Sequence, residues 1–273
     1  MTVSVCVAGA TGWTGRAVAH GVLDDADLEL WSGVSRSHAG ADLGTAWGGD
    51  PVGVPVLGSV AEALDRLDDR GRRVDVLVDY TSHDAVLDHV LAAVDRGVHV
   101  VVGTSGMTAD EYERIDTAAR GAGVGVVSAG NFSLTAAMAA AACLLVAPYL
   151  PQREIVDYAS ATKPDVPSGT ARELAERLGA VSRPALPVSL EDTSGPVQAR
   201  GATVAGTQVH SVRLPSFVVS TEVVFAAPDE RLVIRHDAGP TPTPYVAGTL
   251  LAVRRAPQLT GLVRGLDRLL LGG

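Results

Sequence analysis

A chain of 273 residues is long enough to bury a substantial core and suits one large domain or two modest ones, of which two are expected here. Its 47% hydrophobic content, with 30 glycines and only 4% aromatics, excludes a disordered chain and points to packing by Ala, Val and Leu. A net charge of −9 excludes broad binding to nucleic acid or to an anionic membrane, which needs concentrated Lys and Arg.

In chain order, β-branched runs at residues 3–8, 28–34, 74–80, 98–103 and 124–128 alternate with helical segments at 16–23, 85–96 and 110–121. That rhythm predicts an α/β fold with a parallel, doubly wound sheet. Residues 35–58, rich in Gly and Pro, read as a long loop with a short strand near 54–57. Residues 2–8 alternate and run straight into glycines, so no signal peptide is expected there. Cys6 falls in a buried strand and Cys143 in an Ala-rich helix, so both read as core fillers in a reducing, cytoplasmic setting. The apolar run 134–150 contains Pro148 and reads as a buried helix rather than a membrane span.

Beyond Asn131 the rhythm changes. A strand at 154–161 and a helix at 168–178 are followed by extended runs at 202–214, 218–226 and 232–237, which predict a second, antiparallel or mixed sheet. A Pro-rich turn then leads to helices at 245–255 and 259–271, expected to return to the first domain.

Gly9-Ala10-Thr11-Gly12-Trp13-Thr14-Gly15 joins the first strand to the first helix, where bare backbone and helix N–H groups receive a pyrophosphate. The spacing is GxxGxxG rather than GxGxxG, and the bland alternative is a tight turn that serves packing alone. After the second strand, where an NAD site carries an acidic residue, the chain has Ser35-Arg36-Ser37. Two hydroxyls and a guanidinium suit a 2′-phosphate, so NADPH is expected, with NADH the alternative. The competing reading of Arg36 is a solvated loop arginine.

Taken with that loop, Asp79-Tyr80-Thr81, Gly103-Thr104-Ser105-Gly106, Asn131-Phe132-Ser133, Lys163-Pro164-Asp165-Val166-Pro167-Ser168-Gly169-Thr170 and Val209-His210-Ser211-Val212-Arg213-Leu214 resemble the dihydrodipicolinate reductase family, in order and over nearly the whole chain. The resemblance implies a Rossmann-like domain at 1–130 completed by 240–273, and an α+β substrate and oligomerisation domain with an open sheet at 131–239. It implies a homotetramer that reduces a small cyclic dicarboxylate with NAD(P)H in lysine biosynthesis. On the cofactor side it places Gly9, Thr11, Gly12, Trp13, Thr14, Gly15, Ser35, Arg36, Ser37, Tyr80, Thr81, Gly103, Thr104, Ser105, Asn131 and Phe132.

On the substrate side, Ser168, Gly169 and Thr170 open a helix after Pro167, where hydroxyls and free N–H groups can converge on a carboxylate. An ordinary cap by Ser168 explains the same residues. Lys163 matches the family lysine that serves the substrate as cation or proton donor. The family's adjacent His pair, however, is replaced by Ala159 and Ser160, with the acidic residue two before it kept as Asp157. Alanine moves no proton. General acid help is typically worth ~100 to 10,000-fold, so either the donor moved or the reaction did. Tyr158, Lys163, Ser160 acting through water, and less so His83 are the candidate replacements. His210, Arg213, Arg235 and His236 read as ordinary sheet positions, and no spaced ligand cluster predicts a metal.

These readings give the expectation of an NAD(P)H-dependent reductase of a carboxylated cyclic or conjugated imine in secondary metabolism, where a substrate already dehydrated needs less acid. The alternatives are the true lysine-pathway 4-hydroxy-tetrahydrodipicolinate reductase and a non-catalytic NADP-binding protein.

Overall fold

The computed structural model describes residues 2–272. It divides into two compact units, one formed by residues up to Leu134 together with those from Pro242 onward, the other by Thr135–Thr241.

In the first unit, β1 (Val3–Ala8), α1 (Trp13–Leu23), β2 (Leu28–Val34), α2 (Leu43–Ala46), β3 (Val56–Leu57), α3 (Val60–Asp65), β4 (Val76–Asp79), α4 (His83–Val94), β5 (His99–Val102), α5 (Ala109–Ala122) and β6 (Gly125–Ser128) follow one another. Every strand pairing in this unit's sheet is parallel, and the order is β12-β6-β5-β4-β1-β2-β3, with β12 described below. The order reverses at β1 and β4. A crevice at that switch point, beyond the carboxyl ends of the strands, is where doubly wound sheets bind ligands. Central strands buried on both faces explain the unbroken apolar runs: Val5, Val7, Val76, Leu77, Val78 and Val100 are all fully inaccessible.

The segment at 35–58 is more ordered than its composition predicted. Asp42 caps α2 by accepting from the Gly44 and Thr45 amides, and the same carboxylate accepts from Val52, Gly53 and Val54. One side chain thus replaces the ladder that the loop lacks. Helix α3, capped by Ser59, is an element the periodicity did not reveal, because six residues are too few to show a period.

The second unit contains α6 (Leu134–Val146), whose first residue belongs to the first unit, then β7 (Arg153–Ala159), α7 (Gly169–Val181), β8 (Ala202–Val204), β9 (Thr207–Arg213), β10 (Val219–Ala227) and β11 (Glu230–Asp237). The sheet order is β11-β10-β7-β9-β8. It is mixed rather than antiparallel: β7 pairs parallel with β9, because α7 makes the crossover between them. The run at 202–214 is two strands, not one, folded back at Ala205 and Gly206, both at positive φ as a two-residue hairpin requires. In β7, Arg153, Ile155, Asp157 and Ala159 are buried, and the intervening residues are partly open. The buried face packs Ile155, Val209, Val223 and Phe225 against Leu174 and Leu178 of α7 and Cys143 of α6.

Helix α8 (Thr243–Arg255) returns the chain to the first unit. The expected last helix at 259–271 is instead β12 (Gly261–Arg264) followed by α9 (Leu266–Leu271). Residues 261–264 pair with Gly125–Ser128 of β6, and Gly265 separates strand from helix. Pairing with an open sheet edge overrode the local helical pattern. Both cysteines are buried and free, and burial pushes their thiols up to about 12, so they behave as apolar filler. No helix among the described residues is long and apolar enough to cross a membrane.

Ile155 is fully buried at the centre of the second sheet. Ile155→Ala should lower stability by about 2–5 kcal/mol, read as a shifted denaturant midpoint at unchanged slope.

Candidate active site

The glycine loop is shaped by close backbone approach at the switch point. Gly9 has φ +81°, and a Cβ there would come within 2.3 Å of the Tyr80 carbonyl oxygen at the end of β4. A Cβ on Gly15 would lie 2.1 Å from the Gly9 carbonyl oxygen. Gly12, at the start of α1, donates to Gly9 O at 2.9 Å and supplies no side-chain cap. The first amides of an eleven-residue helix, Trp13, Thr14 and Gly15, are therefore left to a ligand or to water. Trp13 is 53% exposed, edge-on to Tyr245. The indole N–H of Trp47 donates to Ala10 O at 3.0 Å and braces the loop from behind, a support that no motif announced.

At the end of β2, Ser35 is buried, whereas Arg36 and Ser37 are exposed on a short turn of 3₁₀ helix. Ser35 Oγ lies 2.9 Å from Thr11 Oγ1 and 3.3 Å from Ser37 Oγ. His38 Nδ1, 2.9 Å from Ser37 Oγ, adds an imidazole to this group, which the sequence reading missed. The cluster offers hydroxyls, an imidazole and a guanidinium, the donor set for a phosphate.

The turns after β4 and β5 meet through Asp79, which is fully buried. Its Oδ1 accepts from Thr81 Oγ1 at 2.8 Å, Thr81 N at 3.0 Å and Thr104 Oγ1 at 2.6 Å. Tyr80 turns its ring inward against Gly103 and Phe132, and its hydroxyl lies 2.7 Å from Thr249 Oγ1. Burial raises its pKa, so Tyr80 shapes the site as a neutral wall. Asn131 makes a tight turn by accepting the Ser133 N–H at 2.8 Å; Phe132 is buried, and Ser105 is exposed.

The second unit holds the remaining residues around Asp157, a carboxylate with no solvent access. It accepts from Ser168 Oγ at 2.6 Å, Ser168 N at 2.8 Å, Arg213 Nη2 at 2.9 Å and Ser211 Oγ at 3.2 Å. Arg213 also donates to Asp165 O at 2.7 Å, so one buried ion pair ties β7, β9 and the loop at 163–168 into one body. Arg213 is thus more than an ordinary sheet position. Ser168 is the cap of α7, its oxygen accepting from Ala171 N, and the hydroxyl proton goes to Asp157. Its side chain is therefore occupied by the fold, and Gly169 and Thr170, which open α7, are partly exposed. Lys163 is partly exposed and paired with Asp165 at 2.8 Å.

Of the proposed acid replacements, Ser160 sits in the turn after β7, 3.1 Å from Thr162 Oγ1. Tyr158 is on the sheet face opposite Asp157, its ring tilted on Phe217 and covered by the Arg235 guanidinium. The structure does not bring Tyr158 to the Ser168 side of the sheet. His83 is exposed at the start of α4, beside Gly106. His210 bonds Glu154, which also pairs with Arg200, and His236 lies 3.1 Å from Thr135 Oγ1; these are local ties within the second unit.

Family models described as dihydrodipicolinate reductase, N-terminus, and dihydrodipicolinate reductase, C-terminus, match residues 3–132 and 130–270. The chain belongs to the dihydrodipicolinate reductase family. It is 37% identical to the 4-hydroxy-tetrahydrodipicolinate reductase of Moorella thermoacetica, with 98% of each chain covered. It is 35% identical to the enzyme of the same name from Thermosynechococcus vestitus, covering 98% of this chain and 97% of that one. A dipicolinate-bound dihydrodipicolinate reductase from Paenisporosarcina sp. TG-14 shares its fold, with a TM-score of 0.75, 26% identity, and 98% and 99% of the two chains covered. As a member of this family, the protein is an NAD(P)H-dependent reductase of the dihydrodipicolinate reductase type.

Gly15→Ala should weaken dinucleotide binding on the order of 100-fold in calorimetric titration, because its methyl group displaces the Gly9 carbonyl. Arg213→Ala should cost about 3–5 kcal/mol in denaturant unfolding, since it strands Asp157 as a buried charge.

Proposed function

We propose that the protein is an NADPH-dependent reductase of a small cyclic imine bearing carboxylates, with 4-hydroxy-tetrahydrodipicolinate as the substrate. The observation that carries this reading is the loop from Lys163 to Thr170: the Asp157–Arg213 pair fixes the Asp165 carbonyl and Ser168 at the start of α7, and the Asp165 carboxylate pairs with the Lys163 ammonium. A carboxylate suits that start, because helix N–H groups and the dipole favour an anion there. Relatives that carry the activity in their names, matched over almost their full length, support the same substrate. NADPH, when bound, supplies the hydride.

The glycine loop and the open start of α1 fit a pyrophosphate, and the Ser35, Arg36, Ser37 and His38 group fits a 2′-phosphate, which favours NADPH over NADH. On the substrate side, Lys163 orients a carboxylate and, with the His pair absent, is the group placed to give up a proton. Asp165 holds its ammonium in position. We also propose, from the family resemblance, a cytoplasmic homotetramer.

A second reading is favoured by one observation, the replacement of the His pair by Ala159 and Ser160. A substrate that arrives already dehydrated or iminium-like is electrophilic before it binds and needs less acid help.

NADPH oxidation with freshly generated 4-hydroxy-tetrahydrodipicolinate, run beside a histidine-containing family member, separates the two. Turnover within about tenfold of that reference is expected. Tight NADPH binding without turnover would transfer the assignment to another imine. Lys163→Ala should reduce turnover while leaving NADPH affinity near wild type. Replacing Ser35 with Asp together with Arg36 with Ala should shift preference toward NADH.

A further inference from the structure

Asp79 is a fully buried carboxylate that the reaction itself does not use, and its second oxygen has an unusual partner. Oδ2 accepts from His89 Nδ1 at 2.8 Å; His89 lies on α4, its side chain 25% exposed. Bonding to a carboxylate means that Nδ1 carries the proton. The other oxygen takes the hydroxyl protons of both Thr81 and Thr104. Thr104 Oγ1 is further engaged as acceptor of the Thr81 N–H at 2.9 Å. Both hydroxyl protons therefore point inward. Thr81, the exposed member, shows the outside an oxygen that can only accept.

We infer that Asp79 and His89 set the hydrogen-bond polarity of this edge, so that Thr81 receives a neutral donor from the nicotinamide half of the dinucleotide, with His89 as a positioning residue. The inference rests on the cofactor reading above. Place and chemistry both support it. Thr81 and Thr104 follow β4 and β5, at the carboxyl edge beside the switch point. An outward acceptor repels phosphate and favours a donor, which on that half of the cofactor is the carboxamide N–H or a ribose hydroxyl. Without His89, Oδ2 would be buried and unsatisfied, a state relieved by turning the carboxylate. A turned carboxylate releases a threonine hydroxyl, whose proton is then free to turn outward.

The test is calorimetric titration of the full chain with NADP⁺, its 3-acetylpyridine analogue, ADP-ribose 2′-phosphate and adenosine 2′,5′-bisphosphate. His89→Ala should weaken NADP⁺ on the order of tenfold while leaving the bisphosphate within about twofold. His89→Asn, whose amide can donate to Asp79 from the same backbone position, should recover most of the loss. A loss that disappears with the acetylpyridine analogue identifies the carboxamide as the donor; one that persists there and with ADP-ribose 2′-phosphate identifies the ribose. Unchanged NADP⁺ affinity, or equal loss for the bisphosphate, would overturn the inference. Should His89→Ala not fold, Thr81→Val must show the same NADP⁺-selective loss, and its absence overturns the inference equally. A wild-type chain that binds neither NADP⁺ nor NAD⁺ would instead overturn the cofactor reading.

Discussion

The second unit depends on one buried ion pair. Asp157 and Arg213 stand on neighbouring parallel strands, and taking both from water is costly unless every lone pair and proton finds a partner. Here the further partners are the amide and hydroxyl of Ser168, the hydroxyl of Ser211 and the carbonyls of Asp165, Asp157 and Val212, while the buried Arg213 Nε has none among the described residues. The need to satisfy the pair brings the loop at 163–168 down onto the sheet and fixes where α7 begins. The positions of Lys163, Gly169 and Thr170 follow from an electrostatic requirement beneath them.

The first unit solves an analogous problem with Asp79, where neutral donors and an imidazole replace the guanidinium. Asp79 ends β4 and Asp157 lies two residues before the end of β7, and each organises the turn that follows its strand. The glycine loop works differently: Gly9 and Gly15 permit contacts that any side chain would prevent, so its geometry comes from the absence of atoms.

Much of this was legible in the residues. Alternation of strands and helices gave the parallel sheet, and the order of short motifs gave the family, because turns and caps have local chemistry that one sequence displays. What was hidden depends on partners distant in the chain. β12 reads as helix by its own pattern, and only the open edge of β6 makes it a strand. The parallel pairing of β7 with β9 is set by the α7 crossover, which strand composition does not encode. His89 belongs to no sequence motif, since its meaning lies in Asp79 ten residues earlier. Ser168 read as a binding hydroxyl or a cap; the distances to Asp157 and Ala171 make the cap a fact of the fold. Tyr158 was attractive for lying next to the missing pair, yet strand alternation sends it to the other face.

The first unit is assembled from two stretches of chain, and β12, an edge strand of its sheet, comes from the second. During synthesis from the N-terminus, the intervening unit is complete and able to fold while β6 still lacks its outer neighbour. The nascent protein thus passes through a stage with a bare parallel edge, open to pairing with another chain. β12 ends that stage for β6 by taking the place beside it, and becomes the edge of the sheet itself.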